Sequence, residues 1–275
     1  MARVAAFKEF GRFTVINAWL DAPAAVIFLV LLLLYGVTAA AIVFICQGPT
    51  NSPVRRFEGI VSPFFDAVAV LFALMAGFLA ADIAERNKQA VQAVQMEAAE
   101  LRNVFTLSVA STTDMSAIRA AWTDYVKAVT GEEWHAMTKR ERAPAADKAF
   151  DALLRELSAP AIGRDAGNAV HVGLLNAAIR VSTARSDRLS LASDTTSGLK
   201  WAVVLLLGMM TQVAIGAVHI TKRNPQIGAL TVFSVAVVIS LGLIALQEHP
   251  FAGEIGLSAE PLLELLKLQG PGGAS

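Results

Sequence analysis

Asp66 is the one charged residue inside a long apolar run, Ile60 to Ala81. Burying a carboxylate at the centre of a bilayer costs on the order of 3 kcal/mol, and less near the interface. Asp66 lies in the first two helical turns of this run, so it should face water or a partner. Repeated around a ring of subunits, it would concentrate cations and repel anions. Set at headgroup level and paired with Arg55 or Arg56, it would only anchor the chain. Phe64, Val68 and Phe72 share a second face at helical spacing, and a ring of such side chains can gate a pore by dewetting. Aromatic residues in such a run also serve plain packing or lipid contact. A third stripe, Ala69, Ala73, Ala76 and Ala80, suits close approach of neighbouring helices.

Other candidates carry weaker chemistry. Glu132 and His135 have the Glu-x-x-His spacing of bundle di-metal sites, but such a site needs a second copy with further carboxylates, and the sequence offers none, so no metal is expected. His219 falls near a hairpin, where an interfacial side chain is the simpler role; His171 and His249 are isolated. Arg180, Arg185 and Arg188 stand on one helical stretch. Arg185 and Arg188 in particular could contact anionic headgroups, or all three could satisfy Asp187, Asp194 and carbonyls within a bundle. Cys46 is the only cysteine, which excludes an internal disulfide and a thiolate zinc cluster. No phosphate-cradling glycine loop, nucleophile elbow, kinase set or metalloprotease helix occurs. No catalytic residue and no cofactor is therefore expected, and an enzyme is disfavoured. Lys and Arg number 23 against 23 Asp and Glu, and this balance gives no reason to expect a nucleic-acid partner.

The elements that must position these residues are long and apolar. Pro23 to Cys46, Ile60 to Ala81, Trp201 to Ile220 and Ile227 to Leu246 are each roughly 20 residues or more, enough to cross a hydrocarbon core of about 30 Å. Hydrophobic residues make up 55% of the 275-residue chain. Helices are the expected crossing form, because lipid leaves no partner for an unpaired backbone group. The first run is too long for a signal-peptide core and lacks a small-x-small cleavage site. Lys and Arg concentrate beside the membrane at the N-terminus and in the central segment, which predicts cytoplasmic termini and a cytoplasmic middle.

Neither Pro nor Gly occurs between Ile83 and Asp114. The second span should therefore continue as one helix of roughly 50 residues, about 75 Å long, with Ala90, Val94, Ala98, Leu101 and Phe105 as an apolar stripe. A further helix is expected from Asp114, its cap, to Gly131, and Glu132 to Met137 can continue it. Next come a turn at Pro144, a short helix through Phe150 to Leu157, and a last one from near Asp165 running on toward the third span. K-R-N-P-Q at Lys222 to Gln226 reads as the turn of a tight hairpin. Glu260 to Leu268 can form an amphipathic helix, and the final P-G-G-A-S reads as disordered.

Several of these residues fall into an ordered pattern. The second span reads F-x-x-x-V/A-x-x-L-x-x-L/M-x-G-F. It is followed by A-x-x-x-V-x-x-E-A-x-x-L-x-x-V at Ala90, Val94, Glu97, Ala98, Leu101 and Val104. Y-V-x-x-V and E-W-x-x-M follow at Tyr125, Val126, Val129, Glu133, Trp134 and Met137. R-x-x-R-L stands at Arg185, Arg188 and Leu189, and P-F-x-G at Pro250, Phe251 and Gly253. This order, over roughly Arg55 to Leu268, resembles the bestrophin-like domain family of four-span membrane proteins. The resemblance implies the plan of bestrophins: pentameric anion or cation channels whose second span lines a narrow apolar neck, with helices continuing into a cytoplasmic vestibule. If Pro63 matches the proline near the start of the neck helix, the constriction positions fall on Ser62, Asp66 and Val70. That face lies about 160° from Phe64, Val68 and Phe72, so only one of the two can line a pore. No acidic cluster like the bestrophin calcium clasp is present, and calcium gating is not implied.

The expected fold is all-α, an integral membrane protein with four transmembrane helices and a cytoplasmic helical bundle, bestrophin-like. Residues 1–22 form a cytoplasmic segment, 23–83 the first transmembrane pair and 84–199 a cytoplasmic helical region continuous with the second and third spans. Residues 200–246 form the second pair and 247–275 a cytoplasmic tail. The expected function is an oligomeric ion channel, cation-preferring through Asp66. Its partners are the lipid bilayer, copies of itself, a pentamer by resemblance, and small inorganic ions. The expected location is a bacterial inner (plasma) membrane. The alternative is a non-conducting, membrane-anchored helical scaffold that recruits a partner protein.

Overall fold

The computed structural model describes residues 14–47, 62–141, 143–253 and 255–269. Arg55, Arg56 and the P-G-G-A-S tail lie outside the described residues, as do the side chains of Ser62, Phe64 and Phe65. Among the described residues there is no strand. The chain divides into two units, Met1–Glu85 with Thr195–Glu248, and Arg86–Asp194 with His249–Ser275.

The first unit holds α1 (Thr14–Leu20), α2 (Ala24–Gln47), the first part of α3 (Ser62–Ala110), α9 (Gly198–Val218) and α10 (Arg223–Leu246). Helix α1 was not expected, and the edge of its Trp19 packs on Trp201 at 5.5 Å between ring centroids. Helix α10 begins at Arg223, earlier than expected. Asn224 and Pro225 sit in its first turn, where a missing N–H costs no helical hydrogen bond, and the turn itself falls before Arg223. Helix α2 packs against both α10 and α9. Close approach is set by Gly208, opposite Tyr35, and Gly242, opposite Phe28; a Cβ on either would run into the facing ring. Where hydrocarbon offers no hydrogen-bond partner, polar side chains bond across helices. Gln212 Nε2 donates to the Tyr35 carbonyl at 3.0 Å and to Ser234 Oγ at 2.8 Å. At the end of α10, buried Glu248 accepts from the Thr196 N–H at 2.6 Å and from Trp201 Nε1 at 3.0 Å.

The outer faces of α2, α3, α9 and α10 remain apolar and exposed, with Leu33, Phe44, Leu71, Phe78, Leu206 and Val232 among them. Apolar area costs roughly 25 cal/mol per Å² in water, so faces of this length and composition belong in a bilayer. All four helices are long and apolar enough to cross one.

The second unit holds α3 from Arg86 onward, α4 (Ser116–Ala128), a π-turn (Val129–Glu133), α5 (Trp134–Thr138), α6 (Pro144–Leu157), α7 (Pro160–Asp165), α8 (Asn168–Ser193) and α11 (Glu260–Leu266). Helix α3 is 49 residues without a break, and past the span it continues as the lack of Pro and Gly between Ile83 and Asp114 predicts. Helix α4 starts two residues later than expected. Asp114 does not cap it but accepts from the Ser116 N–H at 2.9 Å in the turn before it. Pro144 opens α6 at its first position, where proline's fixed φ suits a helix start. Between α7 and α8, Gly167 has φ +90°, a left-handed turn that glycine accepts without strain. Helix α8 stops at Ser193 and does not run on into the third span.

The α3 stripe is covered within this unit. Ala90 and Val94 are buried in a cluster with Met137 and Phe251, and Leu101 lies in the main core, against which Ala98 and Phe105 pack. Trp122 donates from Nε1 to the Leu101 carbonyl at 2.9 Å and lies 5.0 Å from the Phe105 ring. Leu153, Leu157, Leu174, Val181 and Leu262 complete the core.

Candidate functional site

At the start of α3, Asp66 is exposed and Val70, one turn on, is 65% exposed. Ser62 precedes them by one turn, in the helix. On the other candidate face, Phe72 is half-buried against the first unit's core and 5.9 Å from the Phe233 ring, and Val68 is half-buried. The α3 apolar window is 11% buried by the chain itself, against 17% for α2 and 39% for both α9 and α10.

The second concentration of chemistry lies wholly inside the second unit. Glu97 on α3, Glu133 in the π-turn and Arg188 on α8 are at most 1% exposed. Arg188 donates through Nε and Nη2 to Glu97 at 2.7 and 3.2 Å and through Nη2 to Glu133 at 2.7 Å. Its Nη1 lies 2.6 Å from Met137 Sδ, and its guanidinium stands 5.6 Å from the centre of the Trp134 ring. Arg185 donates to both oxygens of Glu133 and to Asp147 at 2.7 Å. Tyr125 Oη donates to Glu97 at 2.7 Å, and Trp134 meets Phe251 edge-on at 5.7 Å. The π-turn carries an extra residue in its turn, and Glu133 points inward from it while Glu132 stays exposed.

Burial and the Glu97 charge push the Tyr125 phenol well above its ordinary range. Burial opposes the charge of both arginines, but Glu97 and Glu133 at Arg188, and Glu133 at Arg185, outweigh it and raise them further. Both stay guanidinium. Two carboxylates and two guanidiniums cancel, which is the condition for keeping charges in a low-dielectric interior.

Arg185 and Arg188 are thus turned inward, with Glu97, Glu133 and Asp147 as partners in place of a headgroup or of Asp187 and Asp194. Arg180 pairs with Glu100 at 2.7 Å, and its hydrogen bond holds the Glu100 carboxyl below the usual range. Glu132 and His135 are both exposed, and among the described residues no group of three His, Cys, Asp or Glu could hold a metal. His219 Nδ1 stays at 3.1 Å from its own helix at the Ile215 carbonyl. Sequence reasoning missed the network. Apart from Asp147, its members, Glu97, Tyr125, Glu133, Trp134, Met137, Arg185, Arg188 and Phe251, are the motif residues themselves, and their recurrence as a set was the available signal.

These helices define an all-α integral membrane protein with four apolar spans and a helical bundle locked by a buried ion network. The chain belongs to the Bestrophin-like domain family, whose model matches residues 25–262. In fold it is similar to a crystal structure of a mutated bacterial bestrophin homologue from Klebsiella pneumoniae. The TM-score is 0.67 at 12% identity, over 88% of this chain and 96% of that one. A second variant of the Klebsiella homologue gives a TM-score of 0.64, again at 12% identity and with the same coverage of both chains. A crystal structure described as a membrane protein gives 0.63 at 12% identity, also over 88% of this chain and 96% of that one. No curated protein matches the sequence.

Proposed function

We propose that this protein is an oligomeric, bestrophin-like ion channel whose pore is lined by α3, with Ser62, Asp66 and Val70 toward the conduit and Asp66 conferring cation preference. The observation that carries this reading is Asp66 itself, an exposed carboxylate at the start of the span least covered by its own chain. Helix α2 is nearly as open but carries no charge, as lipid contact requires. An exposed carboxylate in a span needs water or a cationic partner, and a ring of copies around a wet axis supplies water. The alternative face of Phe64, Val68 and Phe72 is partly committed, since Phe72 would have to leave Phe233 to line a pore. A pentamer in a bacterial inner membrane, with both termini cytoplasmic, completes the reading. The protein acts as a conduit rather than an enzyme.

Reversal potentials in planar bilayers under a KCl gradient test it. Asp66→Asn should conduct and shift the cation-to-anion permeability ratio toward anions by roughly fivefold, the equivalent of about 1 kcal/mol at the constriction. Unchanged selectivity in a conducting Asp66→Asn protein removes this residue from the pathway. The scaffold reading has less support, because Ala90, Val94 and Leu101 of the α3 stripe that would recruit a partner are already buried by the chain itself.

A further inference from the structure

Between α2 and α10, in the first unit, runs a groove of about 700 Å³, within the roughly 300–1,000 Å³ of ligand sites. Its walls repeat at one-turn intervals: Leu32, Gly36 and Ala40 on α2, Ile227, Thr231 and Val235 on α10. The hollow exists because Gly36 and Ala40 stop short of the facing helix; a Cβ on Gly36 would meet nothing within 4 Å. From Leu32 to Gln47, which close its two ends, the groove follows about 22 Å of helix, against about 15 Å for one leaflet of a hydrocarbon core.

One end is polar. Gln47 is fixed there by donating to the Ile220 carbonyl at 3.2 Å and to Gln226 Oε1 at 3.0 Å. Arg223 lines the same mouth, and its guanidinium makes no hydrogen bond or ion pair with a described residue. It is also the first residue of α10, a helix of 24 residues whose start carries no side-chain cap. The first-turn N–H groups of Arg223 and Asn224, Pro225 having none, and the positive end of the helix dipole add to the guanidinium as an anion seat.

We infer that this groove binds an anionic phospholipid, with an acyl chain lying between α2 and α10 and the phosphate held by Arg223 and the α10 N-terminus. An apolar trough longer than a leaflet is deep, open along its side, and marked at one end by a cation that no described residue pairs; a phospholipid has the complementary arrangement. The groove is distinct from the α3 face assigned to the pore, and the inference stands whether or not the protein conducts.

Full-length protein reconstituted in nanodiscs containing equal phosphatidylglycerol and phosphatidylcholine, then released and weighed by native mass spectrometry, tests it. The wild type should retain phosphatidylglycerol over phosphatidylcholine by about fivefold, the effect of one basic residue near the surface. Arg223→Gln should bring that ratio to parity. Gly36→Leu projects into open space, so it should keep the fold by circular dichroism while losing both lipids. Equal phosphatidylglycerol retention by the wild type and Arg223→Gln overturns the proposal. So does efficient disulfide formation between copies through Ala40→Cys in a Cys46→Ser background, which would show a second copy in the groove.

Discussion

Arg188 has no exposure at all, and its fork is divided between two carboxylates on different elements. Removing one member of a buried charge group leaves the others uncompensated, at a cost of about 3–5 kcal/mol. Arg188→Met should therefore lower the unfolding free energy by about that amount, read from denaturant titration of the detergent-solubilised protein. Arg188→Lys should recover little, because an ammonium cannot place parallel N–H groups on Glu97 while also reaching Glu133. Adding Glu97→Gln to Arg188→Met should cost less than the sum of the single changes, since the two share one interaction. The residue types of this network were plain in the sequence, but their pairing was not. Arg188 and Glu97 are 91 positions apart, and no local spacing rule reaches that far. Arg185 and Arg188 read equally well as headgroup contacts for that reason.

Element by element, the long features were legible and the irregular ones were not. The unbroken run of α3 past the span follows from the absence of helix breakers after Ile83, and the four apolar stretches from their length. The π-turn was invisible, because V-T-G-E-E holds nothing that distinguishes a five-residue turn from an ordinary one, and periodicity counted through it selects Glu132 with His135 rather than Glu133. Its importance can be measured. Deleting Gly131, which is exposed, should restore a regular turn and swing Glu133 by about 100° away from Arg185 and Arg188. Far-UV circular dichroism should be unchanged, while unfolding free energy falls by about 3 kcal/mol. A deletion variant as stable as the parent would show that the extra residue is incidental. The starts of α4 and α10 were misplaced for a related reason: Asp114 and the Asn224–Pro225 pair serve a turn as well as a first helical turn, and only the packed chain selects between them.

At the level of the whole molecule, the spans leave most of their apolar surface for lipid or for other copies of the chain. The same Leu, Val and Phe side chains suit both neighbours, so composition established the spans without fixing which face meets what. Particle images of the purified protein should show a ring with an axial hole, five-fold under the proposed reading; a lone protomer by mass measurement and cross-linking would end the case for a shared pore. Any such pore inherits one property from the bundle. The buried quartet of Glu97, Glu133, Arg185 and Arg188 carries no net monopole, and potentials from neutral groupings fade quickly with distance. A travelling ion would feel little of those four charges however tightly they bind one another. Under the proposed reading, preference between signs is left to exposed groups such as Asp66, so the permeability ratio can drift under selection on the surface while the salt-bridged interior stays as it is.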